Sequence, residues 1–110
     1  MILLLEDNVM FSMPIMELAR QHGEPVIVAE HAARAREVLA EQSDLRGVLL
    51  DMRLVDDELL QQIPAALAVA AFGPHVEGGS FLAMRQRGIK NVWPNSKLRE
   101  RLPDWLKALP

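Results

Sequence analysis

Short apolar runs alternate along this chain with longer segments in which apolar residues recur every three or four positions. The short runs are bounded by charged residues, glycine or proline, which predicts strands that are covered on both faces. These runs are Ile2–Leu5, Pro25–Ala29, Val48–Leu50, Ala66–Phe72 and Ile89–Trp93. The fourth run is rich in alanine, so its pattern is also compatible with a helix.

The longer segments have the spacing of amphipathic helices. The predicted helices are one that ends before Gly23 and four more at His31–Gln42, Asp57–Ile63, Glu77 or Ser80–Arg87, and Ser96–Leu109. Proline lacks an amide hydrogen and clashes inside a helix. We therefore expect Ser12 to cap the first helix, or an irregular turn to precede it, so that Pro14 lies near its first turn. We expect Pro103 to interrupt the last helix, with Asp104 capping its second part.

Five strands that alternate with five helices predict a single α/β domain over residues 1–110, in which helices cover both faces of a parallel sheet. Half of the 110 residues are apolar, which is enough for one core. The absence of cysteine excludes disulfide frameworks, thiol catalysis and cysteine-based zinc sites. The net charge of −3, with dispersed basic residues, argues against nucleic-acid binding. The first apolar run is too short for a membrane span or a signal peptide, so we expect a cytoplasmic protein with no membrane partner.

Carboxylates follow the first and the third predicted strands. Glu6 and Asp7 come directly after the first strand, and Asp51 closes the third. Because the carboxyl ends of parallel strands meet at one edge of the sheet, these side chains are expected where ligands collect in open α/β folds. Asp51 has an alternative interpretation, in which its carboxylate only caps the turn that follows.

The segments Leu4–Asn8, Leu49–Leu54 and Ala83–Gly88 resemble the receiver domain of two-component response regulators, and the resemblance covers nearly the whole chain. It implies a flavodoxin-like (CheY-like) three-layer α/β/α fold with strand order 2-1-3-4-5. The segment after Asp51 is shorter than in the family, which predicts a short third helix. The resemblance also implies that Glu6, Asp7, Asp51 and the backbone carbonyl of Arg53 bind one magnesium ion, and that Asp51 accepts a phosphoryl group. Magnesium prefers oxygen ligands and retains several waters, so convergent carboxylates suit it.

Two positions depart from the pattern of the family. Counting back from Gly88 without gaps places Gly73 where receivers have serine or threonine at the end of the fourth strand. The same count places Asn95 where they have lysine, and Lys97, two residues later, is either a substitute or an ordinary surface residue. In receivers the hydroxyl and the ammonium contact the phosphoryl group, and such groups stabilise developing charge. The chain therefore keeps the acidic half of the site and lacks the switching half.

These departures predict a stand-alone, atypical receiver, a pseudo-receiver that acts through protein–protein contacts and is not an enzyme. The expected partner is a histidine kinase, a phosphotransfer protein or a regulated target. A homodimer through the fourth and fifth helices and the fifth strand is a further possibility. Four apolar residues near the acidic positions are either a contact patch or core residues: Met10, Phe11, Met13 and Met16.

Two other functions stay open at this point. One is a conventional single-domain response regulator that is driven by phosphorylation of Asp51 with Mg²⁺. The other is a small aspartate-nucleophile phosphatase, which needs a second aspartate where this chain has Arg53. Nucleotide or flavin binding is disfavoured, because the acidic segment Glu6–Asn8 would repel phosphate. His75, next to the Gly73–Pro74 break, has no second histidine or cysteine nearby and is weak evidence for a metal site.

Overall fold

The computed structural model describes residues 1–74 and 78–110. The strands are β1 (Ile2–Leu5), β2 (Val26–Ala29), β3 (Gly47–Asp51), β4 (Ala68–Gly73) and β5 (Asn91–Pro94). The helices are α1 (Val9–Gln21), α2 (Ala32–Glu41), α3 (Asp57–Gln62), α4 (Gly78–Gln86) and α5 (Leu98–Lys107). Short 3₁₀ turns at Met52–Leu54 and Asn95–Lys97 follow β3 and β5. The predicted alternation is confirmed, the alanine-rich fourth run is a strand, and the third helix is short. His75 and the proposed helix start at Glu77 lie outside the described residues.

All five strands are parallel and lie in the order β2-β1-β3-β4-β5, as predicted. Alternate residues of β1 point into two separate cores. Ile2 and Leu4 pack with residues of α1 and α5, whereas Leu3 and Leu5 pack with residues of α2, α3 and α4. This division is why the strand is apolar throughout, since both faces of a parallel sheet are covered. The C-terminal ends of β1, β3 and β4 therefore share one open edge.

Helix α1 begins earlier than the proline pattern predicted. Its cap is Asn8, whose side-chain oxygen accepts a hydrogen bond from the Met10 amide at 3.0 Å. Ser12 is buried inside the helix, and its hydroxyl donates to the Val9 carbonyl at 3.4 Å. Pro14 consequently lies in the helix interior, where it cannot donate to the Met10 carbonyl.

Helix α5 also differs from the prediction, because it continues through Pro103 and places Asp104 in its interior. Its apolar stripe, together with one residue just beyond its C-terminal end, is buried against the sheet: Leu98, Leu102, Trp105, Leu106 and, beyond the helix, Leu109. Tertiary packing of such a stripe outweighs the local cost of one proline. Trp105 meets Trp93 edge to face with ring centroids 6.4 Å apart, and both tryptophans are buried packing residues. Because the stripe is used within the chain, a dimer through α5 would need the outer face of that helix.

The predicted starts of β4 and β5, at Ala66 and Ile89, were each two residues too early. A turn closed by the Leu67 amide and the Pro64 carbonyl precedes β4, and the Ile89 amide bonds to the Met84 carbonyl at the end of α4. Within the described residues, no helix is long and apolar enough to cross a bilayer.

Candidate functional site

Three carboxylates, from Glu6, Asp7 and Asp51, meet at the open edge of the sheet, and we call them the acidic cluster. One oxygen of each lies within 4.8 Å of the others. They converge because β1 and β3 are neighbours in register, with Leu5 beside Leu50, so that the next residue of each strand reaches the same height. Glu6 and Asp51 are buried, whereas Asp7 lies exposed at the rim. The structure therefore brings together the three acidic residues that the sequence indicated.

Backbone amides hold two of these carboxylates in place. Glu6 Oε2 accepts hydrogen bonds from the amides of Asp7 at 2.9 Å and Asn8 at 3.1 Å. Asp51 Oδ1 accepts from the Arg53 amide at 2.9 Å and thereby caps the 3₁₀ turn. Asp51 is thus a structural cap and a member of the acidic cluster at the same time, since each role uses a different oxygen.

The side chain of Arg53 enters the acidic cluster, although the sequence pattern had suggested a role only for its backbone carbonyl. Its Nη2 atom lies 2.7 Å from Asp51 Oδ2, 2.8 Å from Asp7 Oδ1 and 3.4 Å from Glu6 Oε2. Its Nε atom donates to the same Asp51 oxygen at 3.1 Å. The signal that could have revealed this contact is an arginine two residues after a capping aspartate, where a tight turn folds the side chain back over the carboxylate. The carbonyl ligand stays a prediction.

The electrostatics of the acidic cluster follow from burial and from Arg53. Burial raises the pKa of Glu6 to about 7, and the adjacent Asp51 carboxylate adds to the shift. The hydrogen bond from Arg53 lowers the pKa of Asp7 below its ordinary value. Hydrogen bonds to Asp51 and then to Asp7 raise the pKa of Arg53, so its guanidinium stays charged.

Gly73, which the resemblance places at the hydroxyl position of receivers, lies at the end of β4 beside Pro94. A Cβ atom built on Gly73 would overlap the terminal methyl of Met52, which is the residue after Asp51. The side chain of Met52 is itself buried in the core. Met52 therefore fills the space into which a serine or threonine at position 73 would project.

Asn95, which the resemblance places at the lysine position of receivers, lines a small depression together with Phe11, Asn8, Arg53 and the acidic cluster. The depression has a volume of about 230 Å³. Lys97 does not line it, and its Nζ atom lies 3.3 Å from Glu100 Oε2 on the surface of α5. The structure thus gives Lys97 the surface role that was one of its two interpretations.

By sequence, the chain matches no family model and no curated protein. Its structure, however, is similar to solved receiver domains. One, from a sensor histidine kinase of Pseudomonas aeruginosa with magnesium coordinated in its active-site cleft, is 23% identical with a TM-score of 0.74, over 97% of each chain. A response regulator receiver protein from Burkholderia phymatum is 16% identical with a TM-score of 0.77, over 99% of this chain and 97% of the other. A response regulator from Burkholderia pseudomallei, with a phosphorylated aspartic acid, calcium ion and citrate, is 15% identical with a TM-score of 0.79, over 97% of this chain and 66% of the other.

The chain has the fold of a response-regulator receiver domain. At these identities the likeness extends to the fold, so the chemistry of the site has to be argued from the residues of this chain. The donor set of the acidic cluster fits magnesium, since it offers hard anionic oxygens in a depression open to water. Glu6, Asp7 and Asp51 would hold such an ion, and the ion would offset their mutual repulsion.

The receiver fold also exposes an apolar surface next to the acidic cluster. Val9, Met10 and Met13 of α1 are 60%, 84% and 62% exposed, and we call them the α1 patch. Phe11 instead stacks on Phe72 with centroids 5.5 Å apart, and Met16 is only 37% exposed. The predicted apolar group is therefore divided between the surface and the interior. A groove of about 270 Å³ between α1 and α5 joins the patch to Asn95.

Proposed function

We propose that this chain is an atypical receiver-like signalling protein that acts through protein–protein contacts and has a degenerate phosphoacceptor site. Asp51 is its acceptor position, and Glu6, Asp7, Asp51 and the Arg53 carbonyl are its weak magnesium ligands. The proposal is carried by one observation: a complete acidic cluster lies beside a hydroxyl position, Gly73, that is filled by Met52.

The residues around Asp51 explain why its phosphorylation would be chemically feasible but would trigger little conformational change. A divalent ion on the acidic cluster supplies positive charge that lets an anionic phosphodonor approach Asp51. Asn95 offers a neutral amide where receivers have an ammonium, so it can donate hydrogen bonds but cannot neutralise a phosphoryl oxygen. Gly73 offers no side chain at all. Without the hydroxyl, no side chain at this position of β4 can hydrogen-bond the phosphoryl group, so the usual conformational change is not triggered.

Intact-mass measurement tests this proposal directly. The protein is incubated with Mg²⁺ and acetyl phosphate, then weighed, and its oligomeric state is measured by size-exclusion chromatography with light scattering. We expect slow, partial phosphorylation that disappears in Asp51→Asn and leaves the oligomeric state unchanged. Stoichiometric phosphorylation with a large change in oligomeric state would contradict the proposal and favour a conventional regulator.

The α1 patch is the proposed contact surface, because exposed methionines bind partners adaptably and Met10 lines the groove that reaches Asn95. The proposed partner is a histidine kinase, a phosphotransfer protein or a regulated target. Replacing Met10 and Met13 by serine should weaken binding to that partner by about tenfold or more, measured by calorimetry. Leu82→Ser on α4 is the matched control, since Leu82 is also apolar and 57% exposed but lies outside the patch. If Leu82→Ser weakened binding equally, the contact could not be assigned to the α1 patch.

The phosphatase alternative gains no support from the site. The residue two positions after Asp51 is Arg53, whose guanidinium is paired with Asp51 and whose pKa is raised. Such a group cannot act as a general acid or base near neutral pH. We therefore propose a signalling role for this protein and not an enzymatic one.

A further inference from the structure

We infer that the Arg53 guanidinium is an internal cation that competes with divalent metal for the acidic cluster and so sets the metal affinity of the site. The inference rests on the metal-binding part of the proposed function and adds a residue that tunes it. Arg53 is a positioning residue in this role, because it acts through the carboxylates and not on a substrate.

The geometry of one nitrogen atom carries the inference. Arg53 Nη2 lies 3.4 Å or less from an oxygen of Glu6, of Asp7 and of Asp51. A magnesium ion would need oxygens of these same carboxylates at about 2.1 Å. The guanidinium and the ion would then lie within a few ångströms of each other, where like charges repel strongly. The two cations therefore cannot share the cluster, and metal must displace Arg53.

The displacement requires little rearrangement of the rest of the protein. The Arg53 side chain is 49% exposed, and among the described residues its hydrogen-bond partners are the three carboxylates alone. Moving it into solvent opens no cavity in either core. Metal binding must then replace these ion pairs, which lowers the apparent affinity in the same way as any competing ligand.

Arg53 also explains how buried carboxylates are tolerated without metal. Glu6 and Asp51 are 3% and 4% exposed, and unpaired charges at such depth are strongly destabilising. The guanidinium compensates for part of that charge in the metal-free protein. It also covers Asp51 Oδ2 with two hydrogen bonds, from Nε and Nη2, so the same oxygen becomes accessible only when Arg53 leaves.

Isothermal titration of the full chain with Mg²⁺, repeated with Mn²⁺, tests the competition. We expect Arg53→Gln to bind either ion at least tenfold more tightly than the unmodified protein, which corresponds to about 1.4 kcal/mol. The metal affinity of Arg53→Lys should lie between those of Arg53→Gln and the unmodified protein, because lysine keeps the positive charge but lacks the planar guanidinium with its several donors. Arg20→Gln is the control: Arg20 is exposed on α1 and pairs, within the described part of the chain, with Glu17 alone, so its removal should leave the affinity unchanged.

A second measurement uses the unmodified protein and does not depend on the folding of a variant. The Arg53 side-chain Nε–H resonance is followed by ¹⁵N NMR during the Mg²⁺ titration. It should move to the position of a solvated guanidinium with the same saturation curve as the Asp51 amide.

The outcomes separate the inference from the proposed function. If the unmodified protein binds metal, but Arg53→Gln binds no tighter and the Nε–H resonance does not move, the competition is refuted and the metal site stands. If neither the unmodified protein nor folded Arg53→Gln binds metal, the inference falls together with the proposed magnesium site.

Discussion

Replacing Glu6 by glutamine should remove a pH dependence of stability that this residue gives to the folded protein. Burial raises the pKa of Glu6 from an ordinary value of 4.5 to about 7. The protonated carboxyl is therefore favoured by folding, and its contribution to stability is complete below pH 4.5. That contribution is lost as the pH rises through 7, because the folded state must then hold a buried anion next to Asp51. Glutamine resembles the protonated acid in shape and does not titrate.

The size of the effect follows from the shift of about 2.5 pKa units. The full loss is on the order of 3 kcal/mol, and about 2.5 kcal/mol of it falls between pH 5 and pH 8. This is a sizeable fraction of the stability of a small domain. Glutamine keeps an oxygen that can accept from the Asp7 and Asn8 amides, as Glu6 Oε2 does, so the local backbone should be unchanged.

Urea unfolding, followed by the fluorescence of the buried tryptophans, measures the free energy of unfolding at each pH. The difference between Glu6→Gln and the unmodified protein isolates residue 6 from other titrating groups. It should favour the variant increasingly from pH 5 to pH 8. Glu100→Gln, which removes an exposed carboxylate that pairs with Lys97, should show no such trend. A pH-independent difference for Glu6→Gln would refute the reasoning, and so would equal trends in the two variants.

Two further predictions concern stability. Gly47→Ala should destabilise the fold by about 1–3 kcal/mol in the same urea assay, since the added Cβ would lie 2.7 Å from a ring carbon of Trp105; an unchanged midpoint would show that the ring moves freely. Asp56→Ala should cost about 0.5–2 kcal/mol, because the Asp56 side chain caps α3 by accepting from the Leu59 amide at 2.8 Å. Asp56→Asn, which retains the capping oxygen, should recover most of that loss, and failure to recover it would assign the effect to charge.

The alternation of strands and helices, and the sheet edge at which the carboxylates lie, were predictable from period and polarity, whereas the strand order came from the resemblance to receiver domains. Continuous apolar runs mark buried parallel strands, and residues that follow adjacent strands must meet at one edge. That reasoning placed Glu6 next to Asp51 correctly. It needed no knowledge of side-chain direction.

The side chain of Arg53 was not predictable by the same reasoning, because its direction depends on the 3₁₀ turn at Met52–Leu54. Sequence spacing places a residue along the chain but does not say which way a tight turn aims it. The predicted start of α1 was wrong for a related reason, since two potential capping residues, Asn8 and Ser12, lie close together there. Asn8 caps the helix and Ser12 is buried, although proline at position 14 favoured the later start. At Pro103, the burial of the α5 stripe outweighed a local helix-breaking signal.

One turn carries two side chains that bear on the site. Met52 and Arg53 are consecutive residues after Asp51; Met52 packs against Gly73, and Arg53 pairs with the Asp51 carboxylate. The methyl of Met52 occupies the space next to Gly73 where a hydroxyl would project, and the guanidinium of Arg53 occupies the place where a cation would bind. A Cβ at position 73 would overlap the Met52 methyl in its present position, so a threonine there requires the flexible end of the Met52 side chain to move. In the proposed pseudo-receiver, packing by Met52 and ion pairing by Arg53 take the place of the switching half of the site.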